Sequence, residues 1–129
     1  MQVEADVYDR NCPSRQVLDR IGDAWSVLIV GALKIGPRRY TELAQRIPGV
    51  SPKMLTQTLR GLERDGLVTR TVHPVVPPRV DYELTPLGRS LLGLVDALKQ
   101  WAENHIADVV EARDAYDARA TSQSSAVGA

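Results

Sequence analysis

The segment that most restricts the fold is Ile47-Pro48-Gly49-Val50-Ser51-Pro52, which halts one helix and starts the next. Pro48 and Gly49 suit a sharp turn. Ser51 suits an N-cap, where its oxygen can accept from a backbone N–H of the first turn, and Pro52 suits the first helical position. Before the turn, Leu43, Ala44 and Ile47 mark the inward face of a helix over residues 41–47. After it, Leu55, Leu59 and Leu62 repeat at helical spacing until Gly66. Two helices joined by a short glycine turn make a helix-turn-helix, a description shared by many helical hairpins.

The chain beyond Gly66 narrows the choice. Residues 68–73 and 80–84 read as strands, and the tract Pro74-Val75-Val76-Pro77-Pro78 between them reads as a loop. An antiparallel pair directly after the second helix would form a wing. Thr85-Pro86 then caps a long terminal helix on which Leu87, Leu91, Leu94, Leu98 and Trp101 fall four, three, four and three residues apart. That is a heptad seam suited to a second copy of the chain, widened by Val95, Ala102, Ile106 and Val109. Upstream, Pro13 opens a first helix to Ile21 bearing Val17 and Leu18, and Gly22 stops it. Asp23 caps a second helix with an apolar stripe of Trp25, Leu28, Ile29, Ala32 and Leu33, ended by Gly36-Pro37. The expected fold is mainly α with a small β-wing: a winged helix-turn-helix with a long C-terminal dimerisation helix.

Net charge is zero, yet its distribution is uneven. Residues 34–79 carry nine cations against three anions, a net of +6, while residues 1–33 carry −2 and residues 80–129 carry −4. A basic middle between acidic ends is the footprint of a polyanion-binding face. If Leu55, Leu59 and Leu62 point inward, Lys53, Gln57, Arg60 and Arg64 share the opposite side of the helix, with Thr56 beside them. Lys or Arg can pair with guanine, Gln with adenine, and a Thr methyl can touch thymine. Lys53, Thr56 and Gln57, near the helix start with the capping Ser51, are the base-reading candidates. Arg60 and Arg64 suit phosphates or outer bases, and Arg38, Arg39 and Arg79 suit the backbone. A cationic helix face alone fits plain solvated surface equally well. The wing, the basic segment and the terminal seam together decide for double-stranded DNA.

At 129 residues the chain supports one ordinary core. The expected organisation is an N-terminal arm at 1–11, a DNA-binding and dimerisation domain at 12–120, and a disordered tail at 121–129. No apolar stretch approaches the ~20 residues of a membrane helix, and the single cysteine excludes an internal disulfide framework, so a cytoplasmic protein is expected.

The sequence resembles the HxlR family of winged helix-turn-helix regulators over roughly residues 12–102. The resemblance is carried by Cys12-Pro13, Gly22-Asp23-Ala24-Trp25, Gly36-Pro37-Arg38-Arg39-Tyr40-Thr41-Glu42-Leu43 and Ile47-Pro48-Gly49-Val50-Ser51. It continues through Lys53-Met54-Leu55-Thr56, Leu59-Arg60-Gly61-Leu62-Glu63-Arg64-Asp65-Gly66-Leu67-Val68, Pro77-Pro78-Arg79-Val80-Asp81-Tyr82 and Leu84-Thr85-Pro86-Leu87-Gly88. It implies a homodimeric repressor or activator that binds palindromic operators, usually near its own or a neighbouring gene, with the fourth helix in the major groove. Ala24 departs from the pattern, since many relatives carry a lysine or arginine before the tryptophan.

Cys12 occupies the place where some relatives carry a redox-active cysteine. A thiol just before Pro13 lies at the positive end of the first helix, which favours the thiolate; Arg15 adds to this and Asp9 opposes it. Without a second cysteine, oxidation gives an intermolecular or mixed disulfide or a higher oxidation state, and an electrophile gives an adduct. Two readings stay open: a sensor of oxidants or electrophiles, and a small, partly buried capping residue. His73, His105 and Cys12 are too few and scattered for zinc, so no metal or cofactor is expected. Neither histidine falls near Cys12 in the chain to serve as a base, so no enzyme is expected. Trp25 and Trp101 suit core or seam. The alternatives are a regulator responding to a non-covalent small-molecule effector and a winged helix used as a protein-interaction module.

Overall fold

The computed structural model describes residues 5–127. Their order is α1 (Pro13–Ile21), α2 (Ala24–Ala32), β1 (Arg38–Arg39), α3 (Tyr40–Arg46), α4 (Pro52–Arg64), β2 (Val68–His73), β3 (Arg79–Leu84), α5 (Pro86–Arg89) and α6 (Leu92–Val127). The sheet is antiparallel in the order β1-β3-β2, with Arg38 opposite Tyr82, Val68 opposite Leu84 and His73 opposite Arg79. The mainly helical fold with its small wing is the expected one. The two-residue β1 was not foreseen, because it is too short to leave an alternating pattern.

The core gathers apolar side chains from every layer of the first 95 residues. Ile29, Val30 and Leu33 come from α2 and its end, and Leu43 and Ile47 from α3 and its end. Leu55, Leu59 and Leu62 come from α4, and Val68, Tyr82 and Leu84 from the hairpin. Burying a leucine or isoleucine stabilises by roughly 1.5–3 kcal/mol, so this cluster is the main source of cohesion. Ala44, expected inward, is exposed, since Leu43 and Ile47 alone fill the inward face of α3. α1 buries none of its residues, and Val17 and Leu18 stand close to half exposed.

Two expectations about the C-terminal helix are corrected. The helix expected from Pro86 onward is broken after Arg89, and a separate helix starts at Leu92. Thr85 caps α5, accepting from the Gly88 N–H at 3.0 Å and donating to the Gly66 carbonyl at 2.6 Å. Gly88 lies against the Leu67 backbone, where a Cβ would run into the carbonyl, so α5 is pinned to the hairpin while the chain turns at Ser90. Leu87 and Leu91 therefore do not lie on one continuous helix with the rest of the seam. Leu91 is half-buried against the core, and Val95, also expected in the seam, is buried within that core at 4% exposure.

The described residues divide after Val95 into two compact units. Beyond Val95, the side chains of α6 through Ser122 are mostly exposed. α6 is described through Val127, so residues 121–127, expected as a disordered tail, continue the helix. They contain neither glycine nor proline to stop it, and an established helix propagates cheaply. Residues 128–129 of that tail, and residues 1–4 of the expected arm, lie outside the described residues. No helix among the described residues is long and apolar enough to cross a membrane, and none of their His, Cys, Asp and Glu side chains cluster in threes as a metal site would need.

Candidate nucleic-acid interface

α3 and α4 are set by local chemistry that the sequence spells out. The Arg39 N–H donates to Glu42 Oε1 at 3.0 Å, closing the first turn of α3. Gly49 takes φ +91 in the turn, a conformation that L side chains rarely adopt. Ser51 caps α4 by accepting from the Met54 N–H at 3.1 Å, with Pro52 in the first turn. At the other end, the Leu67 N–H reaches the Leu62 carbonyl and the Gly66 N–H reaches that of Glu63, with Gly66 at φ +76. This Schellman termination hands the chain directly into β2.

Between those ends, α4 turns Leu55, Leu59 and Leu62 fully inward and leaves Lys53, Gln57, Arg60 and Arg64 exposed. The exposed face combines amide and cationic donors with the reach that base edges and phosphates require. The remaining candidates differ in how far the fold has engaged them. Thr56 is half-buried: the Tyr40 hydroxyl donates to the Pro52 carbonyl at 3.2 Å, which leaves its oxygen to accept from Thr56 at 3.3 Å. With its hydroxyl so engaged, Thr56 offers its methyl. Ser51 is exposed, but its oxygen serves as the cap.

Arg39 is exposed, whereas Arg38 is half-buried and its Nε donates to the Ala32 carbonyl at 2.8 Å, tying β1 to the end of α2. Arg79 stands where β3 leaves the wing loop, with Nε 3.4 Å from Asp81 Oδ1. The other Asp81 oxygen meets His73 Nε2 at 2.9 Å. One carboxylate thus links both strands at the root of the wing, and it offsets part of the charge of Arg79. Beyond that root the loop is apolar and open, with Val76 wholly exposed.

The sequence reading missed a crevice between α4 and the hairpin. It encloses about 290 Å³ and is lined by Tyr40, Thr56, Arg60, Glu63, Arg70 and Tyr82. Arg70 was counted in the basic segment but given no role. Its signal was its position two residues after the buried Val68, on the same side of β2.

Cys12 forms a second feature. It precedes α1 as its N-cap and is buried, at 7% exposure, on a crevice of about 270 Å³ shared with Asp6, Asp9, Asn11 and Pro13. The Ser14 hydroxyl lies 3.1 Å from Sγ and the Asp6 N–H donates to Sγ at 3.4 Å. The Ser14 hydrogen bond, together with the weaker one from the Asp6 backbone, holds the thiol below its ordinary pKa, and desolvation opposes them without prevailing. Arg15 adds to this through its backbone N–H, while its guanidinium Nε pairs with Asp19 Oδ1 at 3.2 Å.

In the second unit, α6 exposes Leu98, Trp101, Ala102, Ile106 and Val110. The Trp101 ring stacks on His105 at 4.7 Å between centroids, and His105 Nδ1 lies 2.9 Å from the Trp101 carbonyl. In the first unit, Leu87 of α5 and Leu94 at the start of α6 are also about half exposed.

Comparison with known proteins agrees with this architecture. Residues 20–109 match the family described as HxlR-like helix-turn-helix. An uncharacterized HTH-type transcriptional regulator of Escherichia coli K12, YtfH, is 45% identical over 111 residues, 86% of this chain and 88% of the relative. The structure of the transcriptional regulator YtfH from Salmonella typhimurium superposes with a TM-score of 0.81 at 43% identity. It covers 86% of this chain and 99% of that one. The redox regulator HypR in its oxidized form superposes with a TM-score of 0.67 at 40% identity, covering 72% of this chain and 96% of that one.

Proposed function

The chain belongs to the HxlR-like helix-turn-helix family and is a transcriptional regulator of the helix-turn-helix type, and from that premise we propose that it works as a homodimer on palindromic operators. α4 enters the major groove, with Lys53 and Gln57 reading bases and Arg60, Arg64, Arg39 and Arg79 holding phosphates. The observation that carries this reading is the division of α4 into a leucine face sealed in the core and a Lys-Gln-Arg-Arg face left open. Arg38, Ser51 and Thr56 contribute mainly by fixing the helices, since each has a polar atom committed to the fold.

The dimer forms through exposed apolar side chains of the C-terminal helix, Leu94, Leu98, Trp101, Ala102 and Ile106, together with Leu87 of α5. Six large or small apolar side chains left in water along one segment are favourable to bury against a second copy. Cys12 senses oxidants or electrophiles: its thiol is held below the usual range by Ser14, and a structural neighbour is named a redox regulator. Oxidation joins two Cys12 thiols, or one Cys12 and a small thiol, into a disulfide, the oxidant taking up two electrons and the two thiol protons being released.

The test is binding to DNA upstream of its own and neighbouring genes, by reduced and diamide-treated protein, beside Cys12→Ser. Specific binding lost on diamide treatment and retained by Cys12→Ser is expected. Specific binding indifferent to diamide would return Cys12 to a capping role and direct attention to a non-covalent effector. Absence of specific binding would favour a protein-interaction module.

A further inference from the structure

We propose that the crevice between α4 and the β2–β3 hairpin is the seat of one DNA phosphodiester strand, gripped by Arg60 from the helix and Arg70 from the sheet. The inference rests on the DNA-binding reading above and extends it to a site and a residue outside the exposed face of α4.

The first argument is the placement of Arg70. Side chains alternate across a strand, so Arg70 lies on the same side of β2 as Val68, which is buried in the core. Its directly opposed neighbour on β3 is Tyr82, also a core residue. An arginine on the inward side of a sheet is expected to have a reason, because its charge resists desolvation. Here Arg70 is exposed and lines the crevice rather than being covered.

The second argument is what shares the crevice. Arg60 projects from α4, and among the six lining residues Glu63 is the one acid, so the lining keeps a net positive charge. The far wall is fixed, because Tyr40 is hydrogen-bonded to both the Pro52 carbonyl and Thr56. Two arginines lining one partly polar crevice suit an oxyanion with several acceptor oxygens, since each guanidinium offers a planar fork of donors.

The third argument is topological. A helix in the major groove and a hairpin reaching toward the adjacent minor groove are separated by the sugar-phosphate strand that borders both. The crevice lies between those same two elements. A free phosphate offers the same chemistry, and the experiment separates the two sources.

The experiment selects duplexes from a random library with the full-length protein, then measures the salt dependence of binding for wild type, Arg70→Ala, Arg70→Lys and the control Lys99→Ala. The selected duplex is also tested with single methylphosphonates, each removing one backbone charge. Arg70→Ala should weaken binding to all selected sequences alike and lower the salt slope by about one unit, with Lys99→Ala unchanged and Arg70→Lys close to wild type in slope. One methylphosphonate position per half-site should weaken wild type yet leave Arg70→Ala unaffected, a coupling that a merely structural role of Arg70 would not produce. An Arg70→Ala protein with wild-type melting, slope and methylphosphonate profile would overturn the inference while leaving the regulator intact. So would saturable binding of inorganic phosphate to the DNA-free protein with no coupled backbone position. A selection that enriches no duplex would overturn the functional reading, and this inference with it.

Discussion

α4 and α6 carry similar leucine repeats and meet opposite fates. On α4, Leu55, Leu59 and Leu62 are essentially inaccessible, within one core cluster shared with residues of α2, α3 and the hairpin. On α6, Leu98 is 48% and Trp101 59% exposed, with no other element among the described residues of their own unit to cover them. Helical spacing of apolar residues announces that a face will be buried, but not whether the same chain supplies the other side. α4 is completed within one copy. α6, on the reading proposed here, is completed by another.

The largest expected effect tests the α4 side of this contrast. Leu59→Ala should cost about 2–5 kcal/mol of stability, the range for emptying a fully buried leucine site, measured by urea denaturation. A loss below about 1 kcal/mol would mean that α4 is less committed to the core than its burial implies. The α6 side is tested by Leu98→Ser with Trp101→Ser. This pair should leave the helical signal of the monomer nearly unchanged but weaken self-association by at least about 2 kcal/mol, read by sedimentation across a concentration series. If sedimentation is unaltered, the dimer interface lies elsewhere, and the exposed faces of α1 at Val17 and Leu18 become the place to look.

A smaller effect separates packing from polar tethering on α4. Gly61 is buried where the Arg20 guanidinium crosses the helix, and Arg20 Nε pairs with Asp65 Oδ2 at 3.0 Å. Gly61→Ala forces only the flexible end of Arg20 aside, and the gain in helix propensity of up to about 1 kcal/mol offsets the partly exposed ion pair. The expected change is within about 1 kcal/mol in either direction, and Arg20→Ala should add nothing once Gly61→Ala is present. Full additivity in the double-mutant cycle would show that the two residues do not interact.

The smallest effect should spare both helices. Because the thiolate is the reactive form and Ser14 lowers the Cys12 pKa, alkylation should rise with pH at a midpoint below that of an unperturbed cysteine, and Ser14→Ala should move that midpoint upward. Stability should stay the same within error. An unmoved midpoint would remove Ser14 as the cause.

Much of the fold was legible from residue types alone. Pro48-Gly49, Ser51-Pro52 and Gly66 have backbone roles that few other residues fill, so the boundaries of α4 could be read directly. The hairpin was legible because Pro74 to Pro78 interrupt two β-rich runs. The break between α5 and α6 was not, because nothing local requires it. It follows a close approach of Gly88 to the Leu67 backbone, residues that are apart in sequence and adjacent only after folding. The same holds for Val95, which the helical spacing sets beside the seam and the core claims.

At the candidate site, the open face of α4 could be read from periodicity, whereas the crevice that Arg70 lines could not. A crevice shared by a helix and a sheet has no spacing signature in one dimension. Likewise the commitments of Arg38 to Ala32 and Thr56 to Tyr40 are contacts between elements that composition cannot announce.

The central claim is that the open face of α4 reads DNA sequence, and the most direct test is selection of duplexes from a random library by wild type beside Gln57→Ala and Lys53→Ala. The account predicts a two-fold symmetric motif in which each substitution relaxes preference at particular base pairs, by about 1–3 kcal/mol each. A motif unchanged by both substitutions, or no motif at all, would contradict it.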